Sequence, residues 1–295
     1  MTATDLAVPA PVPARATVPP PSRLSAGWRA VKVVCQRELI RFRTDKIRLV
    51  SSLAQPVLFL FVLGSGLSGR GGGLAGTDVD YQTFLFPGAL SMSVLFTAMF
   101  SAMSIVWDRE FGFLREMLVA PVPRSAIVVG KALGGSLVAS FQGAVILALA
   151  GLAGVPYDPL MLVLLFVQLF LLAFAVSGFG LVIAARIKEM QAFMGIMNLV
   201  VMPLFFLSGA LYPLGNLPGW LQVVARFNPL TYAVSAMRST VFAALDGAPA
   251  DLAGRVGSEL TWFGWTVPVG VEVLAVVVLG AALVTGAVAA FRRAE

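Results

Sequence analysis

Residues 159–185 read PLMLVLLFVQLFLLAFAVSGFGLVIAA, a run of 27 residues without a charged side chain. A transmembrane helix needs about 20 consecutive, mostly apolar residues to cross roughly 30 Å of hydrocarbon, so this run can span a bilayer. Five more charge-free runs of at least 19 residues lie at 49–69, 81–107, 132–157, 190–225 and 273–291. The pattern predicts an all-α polytopic membrane protein with six transmembrane helices, at residues 49–67, 83–106, 127–152, 160–185, 191–210 and 267–291.

The composition excludes several classes of protein. Of the 295 residues, 12% are charged and 58% are apolar, whereas a soluble domain carries roughly 25% charged residues. There is no histidine and one cysteine, Cys35, which excludes a histidine metal site, a histidine-based charge relay and an intramolecular disulfide. No G-x-x-x-x-G-K-[ST] loop occurs, because Gly130-Lys131 is followed by Ala132. We therefore expect a membrane protein that is not an enzyme, binds no cofactor of its own and cannot hydrolyse ATP alone.

Two segments precede the first span. Residues 1–22 hold six prolines and no uninterrupted apolar core, which predicts a disordered cytoplasmic tail rather than a signal peptide. Residues 23–48 predict an amphipathic helix in the headgroup layer, with an apolar stripe facing a basic arc. A solvated helix packed on a partner is the alternative. The stripe comprises Leu24, Trp28, Val31, Cys35, Leu39 and Phe42, and the arc Arg29, Lys32, Arg37, Arg41 and Arg43.

Lysine and arginine residues are distributed unequally between the two sides of the predicted bundle. Seventeen lie in the tail, the first helix, the second and fourth loops and the C-terminus, against four in the first, third and fifth loops. The positive-inside rule then places both termini in the cytoplasm of a multi-pass protein of the cell membrane. The net charge of +6 reflects this asymmetry, so we expect membrane lipids and no nucleic acid as partners.

The second loop, residues 107–124, is longer and more apolar than a simple connector needs to be. Charged and apolar residues alternate over about three turns, Gly112 permits a bend, and Pro121 and Pro123 end any helix. We interpret it as a short amphipathic docking helix between spans 2 and 3, a solvated connector being the alternative.

The fifth loop, residues 209–266, is divided by Pro213, Pro218 and Pro229. Segments 219–227 and 230–245 are apolar and too short to cross a bilayer, which predicts re-entrant short helices between spans 5 and 6. The polar remainder, 246–259, predicts an outer loop.

These two loops carry a family resemblance. The quoted stretches are EFGFL at 110–114, APVPR at 120–124, Gly130-Lys131, Ser208-Gly209, Tyr212-Pro213, LPGWL at 217–221 and NPLTY at 228–232, followed by Arg238. Together with the six spans and the basic N-terminal helix, they resemble the permease subunit of type 2 ABC exporters over roughly residues 25–293. The branch most resembled is that of daunorubicin-type drug resistance, an efflux system.

The resemblance implies a complex of two permease subunits, expected to be a homodimer, with two copies of a cytoplasmic ATPase subunit that binds ATP and Mg. Trp28, Arg29, Lys32, Arg37 and Arg41 of the interfacial helix are expected to rest against that ATPase. The re-entrant segment is represented by Pro218, Asn228, Pro229, Tyr232 and Arg238. The coupling helix seated in a groove of the ATPase would contribute Arg109, Glu110, Gly112, Phe113, Arg115, Glu116 and Pro121.

The cargo is expected to be an amphipathic drug, lipid or glycoconjugate. Spans 1, 2 and 5 tend to line the dimer cavity in the resembled family, which favours Gln55, Thr97 and Asn198 among the polar residues of the spans. Hydrogen bonding between helices is the alternative role for such residues. Met92, Phe96 and Met99 share one face of the second span, which suits varied apolar ligands or plain packing.

Glu272 is the acid placed well inside a predicted span. It is a candidate functional residue that could pair with Arg226 or Arg238 or support a proton-coupled step. The favoured interpretation is that its side chain reaches water at the membrane surface by snorkelling. Two other functions remain open: an ion- or proton-coupled secondary carrier, and a membrane lipid transferase that works without histidine.

Overall fold

The structure is a computed structural model that describes residues 23–68, 79–112, 123–245, 252–256, 260–262 and 264–293. The predicted tail, 1–22, and most of the predicted coupling segment, 113–122, lie outside the described residues. Eleven helices lie within the described ranges, and a two-stranded hairpin, β1 (Thr261–Trp262) with β2 (Trp265–Thr266), precedes the last one. The helices are α1 (Arg23–Thr44), α2 (Lys46–Leu58), α3 (Gly64–Ser68), α4 (Tyr81–Glu110), α5 (Arg124–Leu147), α6 (Pro159–Arg186), α7 (Met190–Phe206), α8 (Gly219–Arg226), α9 (Pro229–Ala243), α10 (Leu252–Arg255) and α11 (Val269–Arg293).

The helical architecture agrees with an all-α polytopic membrane protein. Among the described residues, five helical segments are long and apolar enough to cross a membrane: Val50–Leu67, α4, α5, α6 and α11. The first of them runs from α2 through a π-helical turn (Phe59–Leu63) into α3. The predicted fifth span is the shorter α7 of 17 residues, about 25 Å long. It ends where the chain turns through Gly209, whose φ is +75°.

The third predicted span also ends earlier than expected. We predicted a helix to residue 152, whereas α5 ends at Leu147 and a 3₁₀ turn (Ala150–Ala153) follows. Gly154 then adopts a φ of +72°, a backbone conformation that favours glycine. The Tyr157 hydroxyl donates a hydrogen bond to the carbonyl oxygen of Ala148 at 2.9 Å, which satisfies part of the exposed helix end.

Helix α4 forms the centre of the bundle. In the most apolar 18-residue stretch of α4, 83% of the residues are buried, and in that of α5 78% are. The corresponding shares are 17% for Val50–Leu67 and 22% for α11. The core therefore lies around α4, α5 and α6, while the first and last spans present broad apolar faces outward.

Helix α1 packs along the N-terminal half of α5, because two glycines of α5 allow close approach. A Cβ atom at Gly130 would lie 2.9 Å from Cβ of Val34, and one at Gly134 would lie 2.9 Å from Cβ of Glu38. The two glycines form a small-xxx-small pair, and the helix that packs against this pair is α1.

The apolar stripe of α1 lies partly inside the bundle and partly on its outside. Trp28 and Leu39, expected in the apolar stripe, are 69% and 37% exposed, while Glu38 is 6% exposed. Val31 is buried and Cys35 is half-buried, as the stripe predicted. The buried face of α1 is rotated relative to the apolar stripe because the Glu38 side chain pairs with buried Lys131 of α5. An apolar pattern cannot predict such an ion pair.

We predict that the double substitution Gly130→Ala/Gly134→Ala destabilises the protein by about 1–3 kcal/mol, because both methyl groups would enter occupied space against α1. The control is Gly286→Ala in α11, whose Cβ would meet Val182 at an ordinary 3.9 Å. Alanine favours the helix there, so a neutral or stabilising effect is expected. Thermal unfolding in detergent measures both. Equal effects of the two changes would contradict the packing of α1 on α5.

Candidate functional site

A buried group of polar side chains lies where α1, α4 and α5 meet. Lys131 Nζ of α5 lies 3.0 Å from Glu38 Oε1 of α1, 2.8 Å from Asp108 Oδ2 of α4 and 2.7 Å from Ser104 Oγ of α4. Arg37 Nη2 of α1 donates to Asp108 Oδ1 at 2.6 Å. We call Arg37, Glu38, Ser104, Asp108 and Lys131 the charge cluster.

The charge cluster joins three helices by charge-assisted hydrogen bonds. The side chains of Glu38, Asp108 and Lys131 are each no more than 6% exposed, so water does little to screen their attraction. The two carboxylates carry one more charge than the single ammonium group. The half-exposed guanidinium group of Arg37, at the edge of the cluster, offsets this excess negative charge. The cluster therefore fixes α1 to the C-terminal end of α4 and to the N-terminal half of α5.

The last turn of α4 also holds the ends of three other helices. Arg109 donates to the carbonyl oxygens of Ala184 at 3.0 Å, Ile187 at 2.6 Å and Ala185 at 3.4 Å, at the C-terminus of α6. Its guanidinium group also lies 5.8 Å from the ring centroid of Phe291 in α11. Glu110 Oε2 accepts a hydrogen bond from the backbone N–H of Met190, the first residue of α7.

Because of these bonds, the side chains of Arg109 and Glu110 contact other helices and do not form a free docking surface. The Arg109 side chain is directed into the bundle, where it satisfies the C-terminal carbonyls of α6. Gly112 follows α4 with a φ of +83°, and Phe111 is 66% exposed. Phe113, Arg115, Glu116 and Pro121 lie outside the described residues, so their coupling role stays a prediction.

The predicted interfacial residues divide between two faces of α1. Trp28, Arg29 and Lys32 point outward and are exposed. Arg37 and Arg41 face α4 instead: Arg37 pairs with Asp108, and the Arg41 guanidinium lies 4.7 Å from the ring centroid of Trp107. The outward face therefore combines basic and apolar groups.

A cavity of about 390 Å³ lies between α1, α2, α4 and α5, and we call it the inner cavity. At the end near the charge cluster, the wall is lined by Glu38, Arg41, Asp45 and Trp107. Deeper in the bundle the wall is formed by a mixture of aromatic, thioether and polar side chains, namely Gln55, Phe96, Thr97, Phe100, Met103 and Gln142.

Three of the six residues predicted for a substrate cavity line the inner cavity: Gln55, Phe96 and Thr97. Met92 and Met99 belong to the apolar core, and Met99 sulfur packs near Gly180 of α6. Asn198 lies on the exposed face of α7. Gln142 also lines the cavity, and the sequence does not single it out because a lone glutamine in a span gives no signal of which side it faces.

Two short helices, α8 and α9, lie between α7 and α11 close to the predicted segments 219–227 and 230–245, and the described residues there also include α10 and the hairpin. The re-entrant placement of α8 and α9 stays a prediction. Asn228 caps α9 by accepting from the backbone N–H of Leu230 at 3.0 Å and donates to the Leu204 carbonyl at 2.6 Å, with Pro229 in the first turn. Pro218 immediately precedes α8, and Tyr232 bonds the Arg226 carbonyl at 2.9 Å.

Arg238 of α9 is 1% exposed. It donates to the Gly209 carbonyl at 2.8 Å and stacks 3.9 Å from the ring centroid of Phe84 in α4. The cation is thus stabilised by a carbonyl and an aromatic face, and it fastens the turn after α7 to α4.

Glu272 lies in the first turn of α11 and is 1% exposed. The expectation that it snorkels to water is therefore wrong, because the Glu272 side chain is buried in the bundle while Gly270 and Val271 beside it are exposed. The Arg238 guanidinium group donates to the carbonyl oxygens of Gly209 and Ala210, and that of Arg226 lies 5.9 Å from the ring centroid of Trp262.

We predict that Lys131→Met destabilises the protein by about 3–5 kcal/mol, because it leaves the Glu38 and Asp108 carboxylates buried without their ammonium group. Lys188→Met, in an exposed loop, is the matched control and should be nearly neutral. Thermal unfolding in detergent gives the comparison. Adding Glu38→Gln and Asp108→Asn to Lys131→Met should recover part of the loss, and no recovery would show that packing, not charge, dominates.

Burial, assisted by the negative charge of Glu38, raises the pKa of the Cys35 thiol above its ordinary value. The thiol is therefore protonated and slow to react at neutral pH, and its maleimide labelling should rise with pH at a higher midpoint than that of an exposed cysteine. Glu38→Gln removes the second cause and should lower that midpoint. A midpoint that does not move would contradict the electrostatic effect of Glu38 on Cys35.

Comparison with known proteins identifies the family. The ABC-2 type transporter family model matches residues 29–242, which include the charge cluster and α9. The chain is 30% identical over 213 residues to the inner membrane transport permease YadH of Escherichia coli, covering 72% of this chain and 82% of YadH. It is 31% identical over 195 residues to nodulation protein J of Rhizobium leguminosarum, covering 65% and 74% of the two chains. It is 32% identical over 158 residues to "Probable multidrug ABC transporter permease YbhR" of Escherichia coli, covering 52% and 42%. The chain belongs to the ABC-2 type transporter family, as a membrane permease.

Proposed function

We propose that this chain is the permease subunit of an ABC exporter that moves an amphipathic drug, lipid or glycoconjugate out across the cytoplasmic membrane. The family implies a transport subunit in the membrane rather than the ATPase. In this proposal a separate ATPase subunit binds ATP and Mg and supplies the energy, in two copies per complex.

The observation that supports coupling best is the set of bonds around the last turn of α4. This turn ends directly before residues 113–122, the predicted coupling helix. Asp108 connects it to α1 and α5, Arg109 to α6 and α11, and Glu110 to α7. A displacement of the coupling helix would therefore reach five other helices through short polar and cation–π contacts.

The proposed assembly has six spans, both termini in the cytoplasm and two permease subunits forming a homodimer. The Val50–Leu67 segment and α7 support a second copy, since both leave apolar faces uncovered in the single chain. On α7 the exposed large apolar residues are Met194, Ile196, Leu199, Met202 and Phe206. The length of α7 suits a sixth span if the turn at Gly209 is covered by α9, to which Arg238 fastens it.

The class of cargo rests on the relatives and on the inner cavity. YbhR is named as a multidrug permease, and YadH as a transport permease. The inner cavity is charged at its cytoplasmic end and mostly apolar in its depth, which suits an amphipathic molecule loaded from the cytoplasmic side.

We predict that two substitutions near the coupling segment have different effects on the complex. Arg109→Ala removes the bonds to the end of α6 and should keep the ATPase bound but lower ATP-driven transport at least tenfold. Phe113→Asp alters the docking helix itself and should abolish co-purification of the ATPase. Arg186→Ala, in an exposed position of the same region, is the control and should affect neither.

Co-purification of the tagged permease with its ATPase, followed by transport in proteoliposomes, tests this division. Loss of ATPase binding in Arg109→Ala would make Arg109 a docking residue, as the sequence suggested. A permease that transports without ATP or an ATPase would refute the exporter proposal and favour an ion-coupled carrier.

A further inference from the structure

The inner cavity contains buried polar atoms that the protein does not satisfy. Gln142 is fully buried and Thr97 is 5% exposed, and both line the cavity. Within the described residues, the Gln142 amide nitrogen and oxygen and the Thr97 hydroxyl have no hydrogen-bond partner. A buried donor or acceptor without a partner is costly, so such groups in native proteins mark a missing water or ligand.

The other buried glutamine of the spans shows the contrast. Gln168 of α6 is 7% exposed, and its Nε2 donates to Thr240 Oγ1 of α9 at 2.9 Å. It links two helices, which is the usual role of a polar residue in a membrane bundle. Gln142 faces the cavity instead and makes no such link among the described residues.

The surroundings of Gln142 and Thr97 indicate the kind of ligand. Phe96, Phe100 and Met103 form an apolar wall of aromatic rings and a thioether, which adapts to flat ring systems. The volume of about 390 Å³ suits one drug-sized molecule. From Phe96 to Trp107 the wall extends about 16 Å along α4, so a ligand can keep a polar end near Arg41.

We propose that the inner cavity is a cargo-binding site within a single subunit, in which Gln142 and Thr97 bind a carbonyl or hydroxyl group on the apolar body of a ring-containing amphiphile. The Gln142 amide donates to a carbonyl or accepts from a hydroxyl, and the Thr97 hydroxyl does either. This inference rests on the proposed export function, since it assigns the chemistry of the cargo. It places the site at the cytoplasmic half of the bundle, where an exporter must load.

The test uses the full-length permease in phosphatidylcholine nanodiscs without ATPase or ATP. The probe is Nile red, a ring system with one carbonyl and no net charge. Diphenylhexatriene is the control probe because it is apolar and has no hydrogen-bonding group. Energy transfer from Trp107, obtained by subtracting the signal of the Trp107→Phe variant, reports binding at the cavity. We expect saturable transfer for Nile red.

Substitutions then separate a ligand-binding role from a structural one. Gln142→Leu should raise the Kd for Nile red about tenfold and Thr97→Val about threefold, as expected for one or two lost hydrogen bonds, while diphenylhexatriene binding changes less than twofold. Gln142→Leu should also raise the midpoint of thermal unfolding of the ligand-free protein, because an unsatisfied amide is removed from the interior. Gln168→Leu, the matched control, should leave the Kd unchanged and lower that midpoint.

Two results would overturn the site. Transfer that does not saturate would mean that the cavity holds only water, and equal effects of Gln142→Leu and Gln168→Leu on Kd would mean that binding is not local. Failure of the export proposal is separate, because it would appear as the absence of an ATPase partner while Nile red binding in the nanodiscs persists.

Discussion

The packing of α1, α4 and α5 depends on the interactions of the Lys131 ammonium group. It lies between the carboxylates of Glu38 and Asp108 in a place that water hardly reaches. Removing charges from water costs several kcal/mol per ion, so such a group is stable only when short, well-directed bonds satisfy it. Ser104 adds a fourth polar group to the arrangement. The geometry of α1, α4 and α5 around Lys131 is therefore narrowly determined.

A second buried cation, Arg238, lies near the opposite end of α4 and must likewise be stabilised away from water. It is stabilised by the Gly209 carbonyl and the face of Phe84. Both cations thus contact α4 or the turn beside it, one near each end of the most buried helix of the bundle. The central helix is held at its two ends by polar contacts and along its length by apolar packing, which favours motion as a rigid body.

The sequence predicts the spans because each depends on length and apolar composition, which are local properties. It also predicts the helices after Pro218 and Pro229, since proline and asparagine set a helix start within a few residues. It could not predict that Glu38 of α1 is buried, because its partner Lys131 lies 93 residues away. The contacts of Arg109 could not be predicted for a similar reason. Its position beside a docking segment suggests a surface contact, while its hydrogen bonds reach carbonyls more than 70 residues away. Gln142 and Gln168 look alike in sequence, and only the packing of α5 and α6 separates them.

The inner cavity and the charge cluster share residues. Glu38 and Ser104 belong to the cluster and also line the cavity. A ligand that displaces α1 or α2 would strain the bonds between Glu38, Ser104 and Lys131, and a movement of α4 would alter the wall that contains Phe96 and Thr97. Any coupling of this kind is reciprocal in free energy, so cargo and ATPase would each change the affinity for the other. Because Glu38 is buried and charged and accepts a hydrogen bond from Ser104, a small displacement would change the energy of the cluster steeply, so communication between the inner cavity and the cluster would need no large rearrangement of the bundle.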